Sequence, residues 1–147
     1  IRASDWLLRR GTFVRIMTSP EHDELMAVVL GLAHFIAIVA GDTLSRLQPM
    51  AELKSAGGVT FKVLSTLIES VLSEDPSLYG ALQTNLPDLP DIEMLFADRA
   101  KKWAEMVAAG KKDEFIQKMS ALKTKMERDD VDFGQAYHNM YRISELQ

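Results

Sequence analysis

Three histidines, one lysine and a pair of adjacent glycines hold most of the chemistry open to this sequence. His34 is the only ionisable residue in an apolar run of seventeen, residues 25–41, within a 147-residue chain of which 26% is charged. Burying an imidazole without a partner costs on the order of 1–3 kcal/mol. The residues one turn away, Leu30, Gly31 and Ile38, offer no side-chain partner. His34 is therefore either a core residue hydrogen-bonded from another helix or a group kept for a ligand. Lys62 falls in the first turn of a second apolar helix, where a cation opposes the macrodipole. It is either a solvated lysine near Glu69 or Asp42, or, with the Gly57-Gly58 turn and the free N–H groups beside it, an anion site suited to a carboxylate or phosphate. His22 precedes His34 by twelve residues, about 18 Å of rise and roughly a third of a turn on one helix. The two cannot share a metal ion, His138 is remote in sequence, and no metal site is expected.

Other chemistries are excluded by what the chain lacks. There is no H-E-x-x-H, no P-loop, no G-x-G-x-x-G and no G-x-S-x-G, so neither an autonomous catalytic motif nor a cofactor loop is expected here. Zero cysteines remove disulfides, thiolate nucleophiles and cysteine-ligated zinc, and fit a reducing cytoplasm. A net charge of −4 and a pI near 5.4 provide no basic field, and nucleic-acid binding is discarded. With 47% hydrophobic residues, 8 Gly and 5 Pro, the composition suits a single packed domain. No secretory signal is read at the N-terminus, and the first residue, Ile1 rather than Met, suggests a start inside a longer chain.

The elements that must carry these residues are helical. Ser19 is read as an N-cap, Pro20 as a first-turn residue, and Glu21, Asp23 and Glu24 as acids on the positive end of the macrodipole. The helix should run to about Leu47, stopped by Pro49. A bilayer, a packed core or a partner subunit could cover it. Its acidic flanks, the interruption at Gly31 and the central His34 favour protein over a membrane span. Helices are also expected after Gly58, around residues 76–82, as a hairpin over residues 91–128 joined near Gly110, and at the C-terminal end. The two prolines of residues 84–91 mark a turn region. Upstream, residues 6–11 read as the end of a helix stopped by Gly11, and residues 12–18 as a strand. Nothing downstream could pair with it, so it is either an orphan strand from a preceding α/β domain or an irregular extended arm. The expected organisation is a tail and linker over residues 1–18 and an all-α domain over 19–147, built around a long buried central helix.

The spacing of His22, Asp23 and His34 after Pro20 and Glu21, followed by Gly57-Gly58, Lys62 and the turn Asp75-Pro76-Ser77-Leu78-Tyr79, resembles the C-terminal helical domain of prephenate dehydrogenases, enzymes of tyrosine biosynthesis. The resemblance covers most of residues 11–84, and the hairpin shares only the family's general shape. It implies a cytoplasmic homodimer whose helical domain closes one side of a prephenate pocket against a Rossmann domain. The family reaction is oxidative decarboxylation with NAD or NADP: CO2 leaves the ring and hydride passes to the nicotinamide. The resemblance also implies that His34 faces the substrate, that Lys62, where the family usually has Arg, holds a carboxylate, and that Gly58 lets backbone approach the ligand. The catalytic histidine and the cofactor loop of the family belong to the nucleotide-binding domain, so no catalytic or cofactor-binding residue is expected in this chain. Two other functions stay open: the helical domain of another small-acid Rossmann dehydrogenase, and a non-enzymatic helical dimer or adaptor whose eight methionines pack against partner helices.

Overall fold

A computed structural model describes residues 6–7, 9–12 and 14–145. Among the described residues Trp6 and Leu7 are helical, and from Ser19 onward seven α-helices follow in order: α1 (Ser19–Ser45), α2 (Met50–Ala56), α3 (Val59–Leu72), α4 (Pro76–Asn85), α5 (Leu89–Ala108), α6 (Lys112–Asp129) and α7 (Ala136–Glu145), with a 3₁₀ turn, Phe133–Gln135, before the last. No strand occurs among the described residues. The strand expected over residues 12–18 is corrected: Thr12 and residues 14–18 have no regular structure, because a strand needs a ladder partner for its N–H and C=O groups. Phe13 and the start of the tail lie outside the described residues. Gly11 does end a turn, with φ +77° and the Thr12 amide donating to the Leu7 carbonyl at 3.2 Å.

The start of α1 is one residue earlier in its cap than expected. Thr18, not Ser19, is the N-cap. Its Oγ1 accepts from the Glu21 amide, while the Glu21 carboxylate accepts from both the Thr18 amide, at 2.7 Å, and the Thr18 hydroxyl, at 2.8 Å. These bonds hold the Glu21 carboxyl below its ordinary range. Within α1 the ladder widens to a π turn over Ala27–Leu32 before returning to α geometry over Ala33–Ser45.

The four buried residues of α1 are Ala27, Gly31, Ala37 and Gly41. All are small, and small residues let a neighbouring helix come close. A Cβ added at Gly31 would stand 2.7 Å from both Cδ atoms of Leu89, and one at Gly41 would stand 2.7 Å from Leu72 Cδ1 and 3.1 Å from Ile68 Cγ2. Thus α5 crosses α1 at Gly31 and α3 crosses it at Gly41. Phe96 adds an edge contact to Phe35, centroids 6.4 Å apart. The core is completed by Ile68, Val71, Leu89 and Met106, all buried.

The rest is fastened to this crossing. Lys54 on α2 reaches Glu69 on α3 with bonds of 3.0 and 2.8 Å. Helices α5 and α6 form the expected hairpin, closed by Gly110 at φ +63°. The Lys111 amide bonds the Met106 carbonyl and the Gly110 amide the Val107 carbonyl, both at 3.0 Å, the pattern of a Schellman stop. Trp103 packs edge-on against Phe115 across the hairpin, centroids 4.9 Å apart. Pro90 sits inside α5 after all, since a first turn tolerates a missing N–H.

Burial of α1 by its own chain is incomplete. An 18-residue window of it has mean hydropathy 2.1, enough in length and composition to cross a membrane, yet only 22% of that window is buried. Val28 and Val29 are about half exposed. The helix expected to be buried is therefore covered by this chain along its small-residue stripe and left open on another side.

Two glycines test the close approach. Gly31→Ala forces overlap worth about 1–3 kcal/mol, against a helix-propensity gain of about 1 kcal/mol, and should lower the thermal midpoint. Gly80, in α4, has nothing within 4 Å of an added Cβ, so Gly80→Ala should gain about 0.5–1 kcal/mol. Shifts of the same sign in the two variants would contradict the packing described.

Candidate functional site

The corner between α1 and α4 holds His34. Asp75 caps α4, its carboxylate accepting from the Ser77 amide at 2.9 Å, which holds the carboxyl below its ordinary range. Pro76 follows in the first turn. The cap fixes the direction of α4, and Tyr79 is thereby laid edge-on against His34 with ring centroids 4.9 Å apart. The Nδ1 atom of His34 is buried and has no hydrogen-bond partner among the described residues. One turn beyond Tyr79, Gln83 donates from Nε2 to the Gly31 carbonyl at 3.0 Å. That carbonyl lies in the π turn, where the helical ladder is irregular and a side-chain donor can enter.

Lys62 and Gly58 lie elsewhere. Gly58 is the N-cap of α3 and provides no side-chain cap, so the first N–H groups of that helix lack a capping side chain. Lys62 is exposed one turn in. The two acids expected near it are engaged by other cations, Glu69 by Lys54 and Asp42 by Arg46. A Cβ at Gly58 would meet nothing within 4 Å, so the space beside this turn is open. His34, by contrast, stands against Tyr79, just past the far end of α3. Val71, near that end, shares a cavity with Tyr79 and follows Lys62 by nine residues, about 13 Å of helix. The structure groups Gly58 with Lys62 and does not bring them to His34. His22 is exposed and bonds its neighbour Asp23 at 3.1 Å, and His138 is exposed on α7.

Tyr79, Gln83 and Glu93 were not singled out by their residue types. Glu93 was detectable: it interrupts the apolar stripe Leu89, Ile92 and Phe96 on α5, the face that packs on α1. Its Oε1 is buried without a partner, and burial pushes its carboxyl above the ordinary range. Gln83 gave a weaker sign, standing four residues after Tyr79 and so on the same face of α4.

Fold and site together define an all-helical domain that leaves one side of its apolar central helix uncovered. The chain matches the family model of the prephenate dehydrogenase dimerization domain over residues 18–121 and belongs to that family. It is 26% identical over 116 residues to a probable arogenate/prephenate dehydrogenase of Methanocaldococcus jannaschii, a stretch that is 78% of this chain and 26% of that protein. The chain thus spans about a quarter of the length of the curated relative it matches. No solved structure matches it.

Glu93 gives a pH test. A carboxyl with a raised folded pKa binds its proton more readily in the folded state, so its contribution is most favourable at acid pH and is lost as pH rises through the folded value. Glu93→Gln should therefore raise the thermal midpoint at neutral pH and leave it unchanged below the ordinary carboxylate range. An equal shift at both pH values would assign the effect to packing instead.

Proposed function

We propose that these residues form the dimerisation and substrate-side domain of an NAD(P)-dependent prephenate or arogenate dehydrogenase. The observation that carries this is His34: a half-buried imidazole whose enclosed Nδ1 has no partner among the described residues, in a chain whose family is prephenate dehydrogenase dimerization domains. The name of the archaeal relative, which covers both substrates, supports the same reaction class. In that reaction the substrate ring loses CO2 as hydride passes to the nicotinamide, which makes the ring aromatic. The residues of this chain have no glycine-rich loop for a dinucleotide, so NAD or NADP would be held by another part of the complete protein.

The role of this domain is binding and enclosure. The substrate carries two carboxylates, and fixed positive charge with N–H donors in a water-poor site stabilises them. His34 supplies a polar edge inside the apolar corner made by Tyr79 and α1. Lys62 supplies an unengaged cation beside the uncapped start of α3. Since about 13 Å of helix separates its end of α3 from the His34 corner, a single-ring substrate contacts both only when two protomers share a pocket. The open faces favour a homodimer: Val28, Val29 and Val39 on α1 and Met119, Leu122 and Met126 on α6 are exposed, and covering apolar area stabilises by about 25 cal/mol per Å². A protein partner on α1 also accounts for its acidic flanks, Glu21, Asp23, Glu24 and Asp42, which suit water better than lipid headgroups; a cytoplasmic enzyme is part of the same proposal.

The complete protein should reduce NAD or NADP, read by nicotinamide absorbance, when given prephenate or arogenate, and should have a solution mass of two chains. His34→Ala should lower kcat/KM by about tenfold or more, as expected for losing a hydrogen bond to a charged group, with little change in thermal midpoint. An unchanged kcat/KM would remove His34 from the site. Mixing His34→Ala with Lys62→Ala protomers should recover activity in hybrid dimers, since one of the two shared pockets then keeps both residues; no recovery would place the two residues in separate roles.

A further inference from the structure

The groove between α5 and α6 is cationic in a chain of net charge −4. A cavity of about 380 Å³ lies there, with Trp103 and Leu122 among its apolar walls and Arg99, Lys102, Lys118 and Lys125 as its charged ones. No acid lines it. Part of the charge is answered within the helices: Lys102 bonds Asp98 at 2.7 Å, Lys118 bonds Glu114 at 2.9 Å, and Arg99 stands 3.8 Å from Asp98. Glu114 is itself shared with Lys111 at 3.3 Å. Two carboxylates thus serve all of these cations, and Lys125 pairs with no acid among the described residues.

The complementary surface is on α1. Glu24 is exposed and pairs with no cation among the described residues. Glu21 and Asp23 add negative charge beside it, the first bonded to Thr18 and the second to His22. Glu21, Glu24 and Val28 step by three and four along one side of the helix, and Val28 and Val29 are about half exposed. The acidic end of α1 therefore runs into an uncovered apolar side within seven residues, about 10 Å of helix. Arg99 and Met106, both lining the groove, are also seven residues apart on α5.

We infer that the acidic end of α1 from a second copy of this chain seats in the α5–α6 groove, with Glu24 facing Lys125 and Arg99. This rests on the homodimer proposed above and assigns the surfaces that form it. A third helix laid along an antiparallel pair covers apolar walls of both, and its acids then meet the cations at the rim. Each of the two surfaces is left open by its own chain, and each carries the charge that the other lacks. Two-fold symmetry makes the contact twice, because each copy gives one α1 end and receives one. A foreign partner would have to bring an acidic amphipathic helix, which this chain already supplies in equal number with the groove.

The test is the dimer dissociation constant of the complete protein, by sedimentation equilibrium, for the wild type, for Glu24→Lys, for Lys125→Glu and for an equal mixture of the two variants. Both positions are exposed, and circular dichroism checks that each variant keeps its native helicity. Either variant alone sets like charges against each other at both contacts and should weaken the dimer by about tenfold or more. In a heterodimer of the two, one contact joins the two reversed positions and the other joins the two native residues, so neither repels. The mixture should therefore form heterodimers about as tightly as the wild type forms homodimers. A wild-type dimer whose single variants are unchanged, or folded and weakened variants whose mixture recovers nothing, would overturn the seating of α1 in the groove and leave the homodimer standing. A monomeric wild type would overturn both.

Discussion

The contact on which the rest of the molecule depends is the approach of two helices to the backbone of α1, at Gly31 and at Gly41. Helices that meet through large side chains are held about 8–10 Å apart. Here the Leu89 side chain occupies the space where a Gly31 Cβ would stand, and Leu72 does the same at Gly41. These contacts set where α5 and α3 lie. With α3 in place, its C-terminal end and the Asp75 cap direct α4 back along α1, and the Tyr79 ring arrives against His34. With α5 in place, Glu93 is turned inward and the α5–α6 hairpin projects from a fixed root. The polar corner is thus a product of side chains that are absent as much as of those that are present.

The same arrangement explains the thin core. A helix that buries only its small residues contributes little apolar area through them, and its valines and leucines are turned to other sides. Among the described residues six hydrophobic side chains are buried, few for a domain of this length. Dimerisation domains have this property by construction, because the area that completes their core belongs to another chain. The apolar run at residues 25–41 is therefore divided: Ala27, Gly31, Ala37 and Gly41 serve the internal packing, and Val28, Val29 and Val39 are left exposed.

Much of this organisation could be read from residue types. Pro49, Pro76 and Gly110 act through backbone rules that context rarely overrides, and the helix ends near them were expected. The α5–α6 hairpin followed from apolar residues stepping by three and four. The isolation of His34 within an apolar run was enough to mark it. Other features had no local sign. Residues 27–32 are uniformly apolar, so no change of phase in the sequence reveals the π turn. Thr18 and Ser19 are both acceptable caps, and the choice depends on which one Glu21 can reach. Pro90 was read as a breaker because its position within the first turn depends on where the chain, turning through Asp88 at φ +59°, begins the helix. Gln83 acquires its meaning only from a carbonyl fifty-two residues away, a relation that no window of sequence contains.

The π turn has a further consequence, for how the gene can change. A π turn is the form a helix takes when it holds one residue more than its α register allows. The segments on either side, Ser19–Met26 and Ala33–Ser45, are thereby phased separately, each with its own contacts. Loss of a single codon within residues 28–30 would rewind this stretch to plain α-helix while both flanking segments kept their faces. A one-residue deletion, ordinarily ruinous inside a helix because it rotates everything beyond it by about 100°, is absorbed at this place. The site's reach toward Gly31 can thus be retuned by a length change that leaves the scaffold intact.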